Sequence, residues 1–181
     1  AKISRYAAAL QMIQQGTGPA GLGRWCWQLY RGKNNSLLQV FTGYRPSFKD
    51  SAQFQTVYIQ HRKPFLEQGQ LQREPRQALL GNLAGLIHEW KDTGKHIVLM
   101  MDANKDVQTD FLELTDMRDV VICMHGNNAP HTHIDRSKTI DGIFLIRSVE
   151  GIQAGYSSCG NGSKGKWPDH QCIWMDVRLQ T

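Results

Sequence analysis

No apolar run in this sequence is long enough to span a bilayer: the longest, Ile97 to Met101, falls far short of the ~20 residues a membrane helix needs. Nor is there a basic-then-apolar leader, so the glycosylation-type triplets at Asn34 and Asn161 carry little weight. Cysteine is sparse. Cys26, Cys123, Cys159 and Cys172 form no C-x-x-C pair, and a chain of 181 residues can bury enough surface to fold without disulfide staples. Reduced thiols are therefore expected, and with them an intracellular setting with no membrane partner, the nucleus being one candidate address. Internal repeats and low-complexity stretches are missing, and Asp and Glu are wholly absent before Trp25.

What is present describes one folded domain over residues 1–181. The hydrophobic fraction of 40% and charged fraction of 20% are ordinary for a globular protein. Against 16 Asp plus Glu stand 21 Lys plus Arg, a formal charge of +5 with a pI near 9.1. That balance favours a polyanionic partner, nucleic acid above all, although a solvated basic surface explains it equally well.

Along the chain, Ile3, Ala7, Leu10 and Ile13 recur at helical spacing and predict a helix over 3–15, ended by the glycines from Gly16 to Gly23. From Trp25 the period becomes two, and Gly32 to Ser36 supplies turn residues before Leu37 to Tyr44, the pattern of a β-hairpin. Residues 51–68 and 75–92 read as helices, the second opening on Pro75 and closing at Gly94. Residues 95–101 are a short apolar run after a helix, the order expected of a buried strand. A short helix over 110–117, a strand over 120–124, a loop over 125–138 and strands over 139–146 and 171–179 complete the expectation.

Asp102, Asn104, Asp141, Asp169 and His170 stand at the margins of these apolar runs, where side chains from several strands can converge on one end of a sheet. Each alone has a plain explanation, since Asp forms turns and a lone His is usually a hydrogen-bonded side chain. The ordered set is harder to obtain by chance: Asp-x-Asn after one strand, Asp opening a second, Asp-His before a third.

In that order, "HIVLMMDANKDV", "SKTIDGIFL" and "WPDHQCIWMDV" resemble the C-terminal motifs of the endonuclease/exonuclease/phosphatase superfamily, and Tyr44 in "FTGYRP" resembles its phosphate-side tyrosine. The spelling "HTHIDRSKTIDGIF" is most similar to endonuclease domains of retrotransposon-like elements. The resemblance runs from about Trp25 onward. It implies an α/β sandwich of four layers (α-β-β-α), N-terminally incomplete, and a metal-dependent phosphodiesterase or endonuclease that hydrolyses a nucleic-acid backbone, DNA first, with activated water.

By the same resemblance, Asp102 takes a proton from the attacking water and Asn104 binds the scissile phosphate or orients that water. Asp141 holds His170, whose imidazole stabilises charge on the phosphoryl oxygens. Asp169 is a ligand to Mg2+ or Mn2+, ions that oxygen donors favour. Tyr44 contacts the phosphate, Arg45, Arg136 and Lys138 are candidate backbone-phosphate contacts, and Trp167 is a candidate base-stacking residue.

Departures accompany the likeness. The family's upstream Asn and its Glu metal ligand have no counterpart before Trp25, Met101 stands where Gly is usual, and Pro168 where Ser is usual. A missing strand would leave a sheet edge to be covered by another segment or a protein partner. Two alternatives follow: a catalytically silent domain that only binds nucleic acid or assembles with a partner, and a phosphatase acting on lipid or inositol phosphates. Cys123, His125, His131 and His133 suggest a zinc site at no common spacing. Gly160, Gly162 and Gly165 fit a dinucleotide-loop spelling, but Trp167-Pro168 stands where its helix should begin, which rejects it. Trp25, Trp27, Trp90 and Trp174 are expected in the core.

Overall fold

The computed structural model describes residues 10–18, 21–48, 56–107, 117–119, 131–133, 138–146, 148–156 and 170–179, the side chains of 117–119 excepted. The strands are β1 (Gln11–Thr17), β2 (Trp25–Arg31), β3 (Leu37–Tyr44), β4 (His96–Asp102), β5 (Met117–Asp119), β6 (Asp141–Ile146), β7 (Val149–Tyr156) and β8 (Ile173–Leu179); the helices are α1 (Val57–Glu67) and α2 (Pro75–Asp92). The strands form a six-stranded sheet in the order β1-β2-β3-β4-β6-β5 and a two-stranded sheet, β7-β8. In the larger sheet only β3 and β4 run parallel. This is the expected two-sheet α/β sandwich.

Consecutive buried residues in β4, from Ile97 to Leu99, show that both faces of the large sheet are covered. On one face α2 brings Leu79, Leu83, Ile87 and Trp90, spaced to share one side of the helix, and Trp90 packs against Phe41 at 6.2 Å between ring centroids. On the other lies the small sheet, with Val149 and Ala154 buried and Ile173, Met175, Val177 and Leu179 packed against the same core. The start of α2 is fixed by the Glu74 carboxylate, which accepts from the Gln77 amide at 2.7 Å, and its end by Gly94 at φ +69°. No helix among the described residues is long and apolar enough to cross a membrane.

The hairpin and α2 lie where the sequence put them, but the first expected helix does not. Residues 11–17 pair with β2 as an edge strand; residues 1–9 lie outside the described residues. Backbone pairing to β2 overrides the helical spacing there, and Gly16 permits it: a Cβ at that position would meet Trp27 Cζ2 at 2.5 Å. Met117, expected to close a helix, is in a strand paired with β6. Strand β7 carries no clean alternation, because a register shift between Gly151 and Gln153 turns both Val149 and Ala154 inward. The expected strand over 120–124 and most of the loop over 125–138 lie outside the described residues. Trp25 and Trp90 are buried as expected, whereas Trp174 is 42% exposed because the alternation of β8 turns it to the outer face, over Gly155.

Candidate active site

The register of the large sheet assembles the site. Tyr44 at the end of β3 is opposite Asp102 at the end of β4, and Asp102 is opposite Asp141 at the start of β6. The antiparallel turn of β6 against β4 is what brings two carboxylates 39 residues apart to one rim. His170, just before β8, crosses from the small sheet and joins them. Its Nδ1 lies 2.8 Å from Asp141 Oδ2, and its Nε2 lies 3.9 Å from Asp102 Oδ2.

The short contact sets the tautomer. A carboxylate can only accept, so Nδ1 carries a hydrogen and donates it to Asp141, leaving Nε2 facing the gap toward Asp102. At 3.9 Å that separation is too long for a hydrogen bond. Asp102, Asp141 and His170 each offer a ligand atom within 4.8 Å of the others. Two carboxylates and an imidazole suit a hard divalent cation, which prefers oxygen donors.

Asn104 holds Asp102 in place. Its backbone N–H donates to Asp102 Oδ1 at 3.0 Å, and its Nδ2 donates to the Arg45 carbonyl at 2.8 Å and to Asp102 Oδ2 at 3.3 Å. Both amide hydrogens are thereby engaged, and the side-chain carbonyl is the part that can orient a water. The geometry requires φ +49° at Asn104, a left-handed backbone that Asn tolerates better than most residues.

Sequence reading did not single out Thr132. Its side chain is wholly buried, and its Oγ1 accepts from the amides of Ile140 at 2.9 Å and Asp141 at 3.1 Å. The Thr132 carbonyl accepts from the Gln171 amide at 2.8 Å, so one residue fixes the chain on both sides of the Asp141–His170 pair. Beside it, His133 is bridged to His170 and meets its ring edge-on, 4.8 Å between centroids. His133 therefore serves the site's architecture, while its proposed zinc companions Cys123 and His125 lie outside the described residues.

Arg24 was also missed. Its carbonyl accepts from the Tyr44 amide at 2.8 Å, which places it on the same rim, one strand beyond Tyr44. The side chain is buried, stacks on Trp25 at 4.8 Å, and its Nη1 has no hydrogen-bond partner among the described residues. Burial first, and the neighbouring Arg73 second, lower its pKa. Only an unusual guanidinium inside an otherwise apolar strand start could have flagged it in sequence.

Of the remaining candidates, Arg45 is buried, with its amide on the Asp102 carbonyl at 2.9 Å and its Nη1 3.5 Å from the Ala103 carbonyl. Lys138 and His131 are exposed. Asp169, Arg136 and Trp167 lie outside the described residues. Cys26 and Cys172 form no disulfide among the described residues, and the other two cysteines lie outside them.

No protein-family model matches the sequence, and no curated protein does. Among solved structures, the chain is similar to the catalytic domain of human Nocturnin with bound sulfate, at 10% identity and TM-score 0.59, covering 95% of this chain and 61% of that one. It is similar to a mannosyl-6-phosphatase of Bacteroides thetaiotaomicron, at 12% identity and TM-score 0.58, covering 95% of this chain and 68% of that one. The chain thus spans about three fifths of the length of the first structure and two thirds of the second. Identities this low establish a common fold.

Proposed function

We propose that this chain, which shares its fold with the Nocturnin catalytic domain and the mannosyl-6-phosphatase and resembles the endonuclease/exonuclease/phosphatase superfamily in its motifs, is a metal-dependent phosphodiesterase that cleaves a nucleic-acid backbone. The observation that carries the reading is the triad at the rim: His170 tied to Asp141 at 2.8 Å and facing Asp102 across 3.9 Å. A bound phosphodiester would offer His170 an oxygen that accepts and Asp102 a water that donates.

In this reading Asp102, steadied by Asn104, takes the proton of the attacking water as the water oxygen bonds to phosphorus. His170, charged and held by Asp141, donates to a phosphoryl oxygen whose negative charge grows in the transition state. The bond from phosphorus to the leaving sugar oxygen then breaks on the opposite side. With His170 protonated, the carboxylates of Asp102 and Asp141 are the described groups that could help hold a cation, and Asp169 is a further candidate ligand; magnesium or manganese there would supply Lewis-acid stabilisation of the leaving oxygen. Tyr44, on the same rim, and exposed Lys138 are the proposed contacts to the strand. The net charge of +5 supports a polyanion as substrate, and the spelling of residues 131–144 favours a retrotransposon-type endonuclease and with it DNA before RNA.

The test is nicking of supercoiled plasmid in magnesium or manganese, by this chain and by the chain joined to whatever its reading frame encodes upstream. Nicking should vanish with a chelator and fall by orders of magnitude in Asp102→Ala, Asp141→Ala and His170→Ala. Release of phosphate from inositol phosphates without nicking would replace the reading with a phosphatase, and no turnover of either would leave a binding domain.

A further inference from the structure

Four residues past Tyr44, the chain turns an aromatic ring to water. Phe48 is 59% exposed, yet it is not loose. Its ring meets that of Tyr58 edge-on, at 5.0 Å and 67°. Tyr58 is buried in the first turn of α1, whose start is fixed by the Thr56 hydroxyl accepting from the Ile59 amide at 3.3 Å. On its other side the segment is pinned by Pro46, fully buried and fixed in φ, and by Arg45, whose amide bonds the Asp102 carbonyl at 2.9 Å. Tyr58 supports the ring at one place, and more than half of the residue's surface remains open.

The position is what gives an exposed ring meaning, since single exposed apolar residues are ordinary. Three residues of extended chain reach at most about 10 Å, so Phe48 stands within roughly that distance of Arg45 and the rim that carries Asp102. At about 3.4 Å per stacked nucleotide, a base on Phe48 would lie within roughly three nucleotides of a phosphate held at that rim. A ring already fixed between a proline and a helix loses little freedom when a flat partner stacks on it.

We propose that Phe48 is a stacking platform for a nucleobase flanking the phosphate bound at the triad, making it a residue that selects strands with unpaired bases. The proposal rests on the reading of a nucleic-acid substrate given above and adds the feature of the strand that is read. Stacking on an aromatic face tolerates any base, so it confers preference for exposed bases and not for a sequence.

The experiment compares binding of two fluorescent strands of equal length, one of oligothymidylate and one of abasic tetrahydrofuran units, with a chelator present to prevent cleavage. Phosphate number and charge are the same in both, so their ratio of Kd reports the bases alone. The parent chain should prefer the thymidylate strand by roughly fivefold or more, the weight of one base on a ring. Phe48→Ala should remove that preference while leaving the abasic strand's Kd unchanged, and Phe48→Trp should keep it. A Phe48→Ala chain with the parent's preference, or a Phe48→Trp chain without it, overturns the platform while leaving the nuclease reading intact. A parent that binds neither strand overturns the substrate reading and the platform with it.

Discussion

Thr132→Val tests whether one buried hydroxyl supports the site. Valine keeps the shape and the branched Cβ but cannot accept, so the change strips the partner from the buried amide of Ile140 and the half-buried amide of Asp141, and leaves the packing almost as it was. An unsatisfied buried donor costs about 1–3 kcal/mol. Two would give roughly 2–6 kcal/mol; because they share one acceptor and the second bond is long at 3.1 Å, the lower part of that range, about 2–4 kcal/mol, is expected. For a chain of 181 residues this corresponds to a fall in Tm of roughly 4–16 °C. Urea unfolding of the parent, Thr132→Val and Thr132→Ser would measure it, with serine recovering most of the loss. A valine variant within about 0.5 kcal/mol of the parent would refute the claim that this hydroxyl anchors the Asp141 strand.

Two further outcomes follow from the same geometry. Asn104→Gly and Asn104→Ala both lose the amide bonds to Arg45 and Asp102 and should impair turnover alike, but alanine must also hold φ +49° and should be less stable than glycine by about 1–2 kcal/mol in chemical denaturation. His61 is buried with its Nε2 3.1 Å from the Leu22 carbonyl; burial lowers its pKa below the usual 6.5, the carbonyl opposes this and nearby Arg24 reinforces it. The unfolded chain therefore binds this proton first on acidification, so stability present above pH 6.5 is lost as pH falls toward the depressed value. In His61→Gln the drop in Tm between about pH 7.5 and pH 5 should be smaller than in the parent; equal drops would show that His61 is not the group responsible.

Legibility differed from element to element. Helix α2 was readable end to end because a proline, a period near 3.6 and a closing glycine agree with one another. The edge strand β1 was not, since four apolar residues at helical spacing say nothing about a neighbouring strand that offers better hydrogen bonds. Strand β7 was hidden by its own bulge. At the site, Asp102, Asn104, Asp141 and His170 stood out because carboxylate, amide and imidazole beside apolar runs are chemically conspicuous. Thr132 did not, because a threonine is unremarkable until the backbone shows which amides reach it.

Residue types and their order along the chain decided by themselves that this is a basic α/β protein with reactive groups at its strand ends, because local pattern and composition depend on nothing distant. The distances depend on strand register and on the approach of the second sheet. Only the tertiary structure brings His170 to 2.8 Å from Asp141 and leaves 3.9 Å to Asp102. It also buries Arg24 and holds Phe48 out to solvent beside Tyr58, since burial and exposure are properties of the packed chain and not of any one stretch of it.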